Sequence, residues 1–161
     1  LAQTRNTQIA GFHRDDDMRR GYQRVYQQVA RRERDVLLAF HLTTAQFDVL
    51  SHLWRAPGIS QQALAERLLV TKGNICGLID RLEISGLVER RPAPQDRRSH
   101  QLYLTETGAS KFQKAAPALE QELAHLFRGL SEEELHSLSG LFNRLEQYIS
   151  TQTTIPMENE R

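Results

Sequence analysis

Residues 59–104 constrain the fold of this 161-residue chain more than any other stretch. They carry two helical patterns almost back to back, then two strand-like patterns around a polar loop. In the second helix Thr71 stands as an N-cap residue ahead of Ile75, Leu78, Ile79 and Leu82. These four recur at i, i+3, i+4 and i+7 and so form one buried stripe. Gly86 follows as a C-cap signal and closes the helix near Ser85. At about 100° per residue, the opposite face carries Gly73, Gly77 and Asp80, flanked by Asn74, Cys76 and Arg81. The outward face is small and polar.

The preceding helix starts at Ser60 and turns Ala63, Leu64 and Leu68 inward. Only residues 69–71 separate the two helices, the spacing of a helix-turn-helix, whose second helix enters a DNA major groove with its N-terminal end toward the base edges. Residues 87–91 and 100–104 read as strands. Between them, residues 92–99 include Pro92 and Pro94; prolines cannot join a central ladder, so a loop is predicted. The arginine pair Arg97 and Arg98 suits a narrow, electronegative minor groove or the phosphates beside it. The expected fold is mainly α with a small β-hairpin wing: a winged helix-turn-helix, with N- and C-terminal helices forming a dimerisation domain.

Composition narrows the class. With 39% hydrophobic residues the chain is one compact unit or two intimately shared ones. Its net charge is only +1, so the case for double-stranded DNA rests on a local cluster: Arg67, Lys72, Arg81, Arg90, Arg91, Arg97 and Arg98. Asp80, Glu83, Glu89 and Asp96 offset part of it. One cysteine excludes an intrachain disulfide framework and fits a reducing cytoplasm. No apolar run approaches the roughly 18 residues of a membrane span. The six histidines are scattered, which predicts no metal site. There is no nucleophile–base pair and no Gly-rich phosphate loop, so neither an enzyme nor a cofactor is expected.

Taken in order, residues 1–14 are polar and read as a flexible tail. Residues 15–43 form a helix opened by Asp15, Asp16 and Asp17, with Tyr22, Val25, Tyr26, Val29, Val36, Leu37 and Phe40 near one face. Thr43 or Thr44 caps the next helix, and residues 44–107 make up the winged domain. Residues 108–151 hold two more helices. In the first of these, Ala109, Phe112, Ala116, Leu119, Leu123 and Leu126 form a coiled-coil-like seam interrupted by Pro117. Ser131 and Glu134 frame a capping box for the second. Residues 152–161 are a polar tail. The outer helices offer more apolar surface than a small winged domain needs, which predicts an identical partner chain.

Residues 42–108 resemble the multiple-antibiotic-resistance regulator (MarR) family of bacterial transcription factors. The matching pieces are LTTAQFDVLSHL, LAERLLVTKGNICGLIDRLEISGLVERRP and DRRSHQLYLTETG. Asp96 and Arg98 of the wing, followed by Leu104, Thr105 and Gly108, are the most specific part. The resemblance implies a homodimer of intertwined terminal helices, and a repressor released by a small aromatic or phenolic effector. It also implies an effector cleft between dimerisation helices and winged domain, for which Tyr22, Tyr26, Phe40, His41, Trp54 and Arg55 are the candidates.

For DNA binding the candidates are Thr71, Lys72, Gly73, Asn74, Gly77, Arg81, Arg97 and Arg98, with Asp96 shaping the wing. Thr71, Lys72 and Asn74 can meet phosphate or base edges, and Arg81 can reach the backbone. Family members often carry a long polar side chain where this chain has Gly77, so the glycine means either close backbone approach or an absent contact. For the wing arginines the functional reading is minor-groove insertion by one of them and the structural reading an Asp96–arginine pair that shapes the wing. The resemblance implies both, with Arg98 matching the family's Asp-x-Arg arginine, and which arginine does which is open. Cys76 on the helix flank gives an alternative, a redox-responsive regulator, and a winged protein-interaction module is another.

Overall fold

The computed structural model describes the backbone of residues 2–93 and 96–152, and the side chains of residues 16–92 and 100–151. The elements are α1 (Ala2–Leu38), α2 (Thr44–Arg55), β1 (Ile59–Ser60), α3 (Gln61–Arg67) and α4 (Lys72–Ile84). They continue with β2 (Val88–Ala93), β3 (Asp96–Leu104), α5 (Glu106–Phe127) and α6 (Glu132–Gln152). Two compact units result, Leu1–Leu123 and Ala124–Arg161. No described helix is long and apolar enough to cross a membrane.

Side-chain oxygens start the helices. Thr43, not Thr44, caps α2: its hydroxyl accepts from the Gln46 N–H at 3.2 Å while the Gln46 side chain accepts from the Thr43 N–H at 2.9 Å. Ser60 accepts from the Ala63 N–H at 3.1 Å and Thr71 from the Asn74 N–H at 3.3 Å. Ser131 and Glu134 form the expected reciprocal box. Each cap satisfies a donor that the first helical turn leaves without a partner.

Three helices stop in one way. The N–H groups of Leu42, Val70 and Leu87 donate to the carbonyls of Leu37, Ala65 and Leu82 at 2.9–3.1 Å. The residues before them, His41, Leu69 and Gly86, take left-handed φ values of 54°, 52° and 67°. This is the Schellman stop. Only Gly86 announces it in sequence.

The core of the first unit follows the predicted seams. Val49, Leu50 and Leu53 of α2 meet Leu64 of α3 and Ile75, Ile79 and Leu82 of α4, with Val88 and Leu102 from the sheet. Leu37 of α1 and Phe112, Ala115 and Leu119 of α5 belong to the same cluster. The expected boundaries at residues 43/44 and 107/108 therefore do not divide the core. The ends of two long helices complete the winged core, so the fraction of surface buried is larger than a domain of that size would reach by itself. Phe112 packs against the rings of Phe47 and Trp54 at 5.5 and 5.6 Å. α5 runs unbroken through Pro117.

Two expectations need correction. The backbone is helical from Ala2, not from Asp15, because residues 2–14 contain no proline to break the ladder. Pro92 belongs to β2, opposite His100, instead of to the loop. The strand order β1-β3-β2 makes β2 an edge strand, and an edge tolerates a residue without an N–H. The register shifts immediately after it, between Pro92 and Ala93. The strands thereby reach Ala93 on one side and Asp96 on the other, and residues 94–95, expected in the loop, lie outside the described residues. β1 was not foreseen; its two residues pair with Leu102 and Gln101.

In the second unit α6 is amphipathic, yet Leu141, Phe142, Leu145 and Tyr148 are each 53–63% exposed. The C-terminal tail beyond residue 152 lies outside the described residues.

Candidate nucleic-acid interface

α4 presents the predicted face. Ile75, Ile79 and Leu82 are buried, whereas Thr71, Lys72, Gly73, Asn74 and Arg81 are exposed and Gly77 is half-buried. No acidic residue occupies its first turn, so the partial positive charge of the helix N-terminus is left for an anion. Thr71 spends one lone pair on the cap; its O–H can still donate to a phosphate. A Cβ added at Gly73 would meet nothing within 4 Å. One added at Gly77 would meet only Nη1 of Arg81, at 3.5 Å. Neither glycine is enforced by a neighbouring backbone.

The basic cluster divides into two kinds. Arg90 is only 20% exposed and binds Asp80 at 2.5 Å, Glu83 and, at 3.4 Å, the Gln61 carbonyl oxygen. It locks β2 to α4 and α3. Partial burial works against its charge, but the hydrogen bond it donates to Asp80 and the attraction of Glu83 outweigh that and hold its pKa above the usual arginine value. Arg91 pairs with Glu89 at 2.9 Å and lies 4.3 Å from the centre of the Tyr103 ring. Both arginines are structural. Arg67, Lys72 and Arg81 have no ion pair among the described residues and form the available basic footprint. The side chains of Asp96, Arg97 and Arg98 lie outside the described residues; the backbone of all three is in β3.

The Leu-Thr-x-x-Gly segment anchors the wing to α5. The Thr105 hydroxyl donates to the Gly86 carbonyl at 2.6 Å and accepts from the Gly108 N–H at 3.0 Å. The Thr105 N–H donates to the Leu87 carbonyl at 3.2 Å. A Cβ on Gly108 would lie 1.9 Å from that same carbonyl oxygen. One threonine and one glycine thus join the end of α4, the end of β3 and the start of α5.

Cys76 is half-buried and accepts a hydrogen bond from the Gln61 amide at 2.8 Å. Its sulfur faces α3, not the outward stripe. The six effector-pocket candidates do not line one cavity in the single chain. Tyr22 and Tyr26 stack on each other at 5.9 Å along α1, and both are about 60% exposed. His41 occupies the left-handed stop of α1. Trp54 packs on Phe112, and Arg55 is exposed. Phe40 lines a cavity of about 450 Å³ with Glu106, Thr107, Ser110, Lys111 and Lys114 of α5, and Tyr22 lines a separate one of about 700 Å³ with Asp17, Met18 and Gly21 of α1. Sequence reasoning missed the two lysines because they fall on the polar side of the α5 pattern. Among the described residues, no group of histidine, cysteine and carboxylate side chains could hold a metal.

A recognition helix with a free N-terminal end, braced by a second helix and flanked by a two-stranded wing, defines a winged helix-turn-helix protein. Residues 41–99 match the model of the MarR family. An uncharacterized HTH-type transcriptional regulator of Bacillus cereus is 34% identical over 125 residues, covering 77% of this chain and 82% of that one. Among solved structures, a mutant of MarR from E. coli complexed with operator DNA is similar with a TM-score of 0.75 and 28% identity. That match covers 80% of this chain and 93% of the other. CouR, a transcriptional repressor bound to a 23-mer DNA duplex, gives a TM-score of 0.74 at 28% identity, over 78% of this chain and 89% of its own. The chain belongs to the MarR family; it is a transcriptional regulator and not an enzyme.

Proposed function

We propose that this DNA-binding regulator works in the cytoplasm as a homodimeric repressor on a pseudo-palindromic operator and is released by a small aromatic or phenolic effector. The observation that carries the DNA reading is α4: an acid-free N-terminus, an outward stripe without bulk, and Lys72 and Arg81 unpaired beside it. Each copy sets α4 in the major groove of one half-site, about one helical turn (roughly 34 Å) from the other. The dimer reading is supported by Met18, Tyr22, Val25 and Tyr26 of α1, exposed despite being apolar or aromatic, and by the exposed apolar face of α6. The effector reading is supported by the Phe40 cavity, where an aromatic ring and two ammonium groups suit an aromatic carboxylate or phenolate.

The test is an anisotropy titration of the full chain on duplex DNA from upstream of its own reading frame, with random duplex as competitor. Tight binding that survives competitor, weakens steeply with salt and falls in Arg98→Ala is the expected result. Equal, weak binding to both duplexes, or affinity indifferent to salt, would sink the reading.

A further inference from the structure

We infer that Gly77 determines specificity by what it leaves out: it clears a seat along α4 over which Arg81 folds, so that Arg81 reads a guanine in the major groove. The inference rests on the DNA reading above and deepens it. Residues 77 and 81 lie one above the other, about 6 Å apart along the axis. Helical side chains lean toward the N-terminus, and the Arg81 guanidinium follows that lean: its Nη1 stands 3.5 Å from the position a Gly77 Cβ would take. Apart from the flanking residues and the backbone of α4 itself, nothing else comes within 4 Å of that position, nor of the equivalent one at Gly73 a turn further on. Between Gly73 and Gly77 the outward stripe is therefore clear, with the Arg81 guanidinium over its Gly77 end, while Asp80, the third residue of that face, is held by Arg90.

That guanidinium is also kept available. Its sequence neighbours Asp80 and Glu83 are both held by Arg90, and Arg81 has no ion pair among the described residues. Phosphates flank the groove, whereas an arginine laid along the outward stripe faces the base edges once the helix is inserted. The planar fork of arginine matches O6 and N7 of guanine in two parallel hydrogen bonds; a lysine in its place is a point charge.

The experiment selects binding sites from a randomised duplex pool with full-length wild type, Gly77→Gln, Arg81→Ala and Arg81→Lys. Affinities for all four bases at the Arg81 position follow. Wild type is expected to select guanine at one position of each half-site. Gly77→Gln displaces the guanidinium and changes the base selected. Arg81→Ala and Arg81→Lys relax that position alone, losing a discrimination of about 5- to 150-fold, and Arg81→Lys keeps the salt slope. Uniform weakening by Arg81→Ala across all four bases, with the salt slope reduced by about one, would mark a phosphate contact and overturn the inference. So would an unchanged base preference in Gly77→Gln. Wild type that selects no sequence at all would overturn the DNA reading itself, an outcome separate from the other two.

Discussion

Leu69 is 92% exposed and holds a left-handed φ of 52°. Its side chain contributes almost nothing to the core while its backbone sits in a region that costs an L-residue about 1–2 kcal/mol. Asparagine tolerates that region better. Leu69→Asn is therefore expected to raise stability by up to about 1 kcal/mol, read as a higher urea midpoint with an unchanged slope. Gly108 is the opposite case. Its φ is not left-handed; the glycine is required because a Cβ would lie 1.9 Å from the Leu87 carbonyl oxygen. The obstacle is backbone and cannot rotate away, so Gly108→Ala should lose about 3 kcal/mol, the upper end of overpacking costs, in the same assay. The sequence marked Gly108 as part of a motif but not why. Nothing marked Leu69, since a leucine at a helix stop looks like any other apolar residue until its backbone and exposure are known.

Among elements, the junction of α4, β2 and α3 decides how much positive charge reaches DNA. Arg90 holds Asp80 and Glu83 beside Arg81. Arg90→Ala is expected to lower DNA affinity several-fold at low salt, although Arg90 is itself no DNA contact, because two carboxylates are released next to the recognition face. Adding Asp80→Asn should restore part of the loss. An Arg90→Ala variant that binds as tightly as wild type would contradict this account. The starts of α2, α3, α4 and α6 were legible because caps act within three residues, as at Thr43, Ser60, Thr71 and Ser131; the start of α1 was not. The division of arginines into structural and available ones was not. Arg90 meets Asp80 across 10 residues and Gln61 across 29, and one-dimensional spacing does not carry such pairings. The strand containing Pro92 was misread for a similar reason: whether a proline is tolerated depends on which strand is the edge.

At the scale of the whole chain, two half-buried carboxyls, Glu33 of α1 and Asp48 of α2, lie close enough to repel each other. Burial raises the pKa of Asp48, partly opposed by the charge of His52; burial and then the charge of Asp48 raise that of Glu33. A carboxyl with a raised folded pKa carries no penalty below its unfolded value, near pH 4, and destabilises the fold as pH climbs through its folded value. Asp48→Asn is thus expected to raise Tm at pH 7, with the gain fading as pH falls toward 4. A gain that persists at pH 4 would point to some other cause. The exposed apolar face of α6 gives a second prediction on this scale. Leu145→Glu should shift the sedimentation of the protein from dimer to monomer and lower operator affinity at least tenfold, because two linked half-sites bind far more tightly than one. A monomeric wild type would remove the basis for it.

The order of the helices and of the two wing strands, the buried stripes of the winged core, the caps and the outward face of α4 were determined by the sequence alone, because each depends on periodicity and neighbours within a turn or two. Family membership was legible for the same reason: its motifs are local. Tertiary structure decided which charges are consumed, where the core ends and what each glycine is for. It drew Leu37 of α1 and Phe112 of α5 into the winged core, separated Tyr22, His41 and Trp54 from the Phe40 cavity, and laid Arg81 beside the space over Gly77. These outcomes depend on distances between residues far apart in the chain, and packing sets those distances.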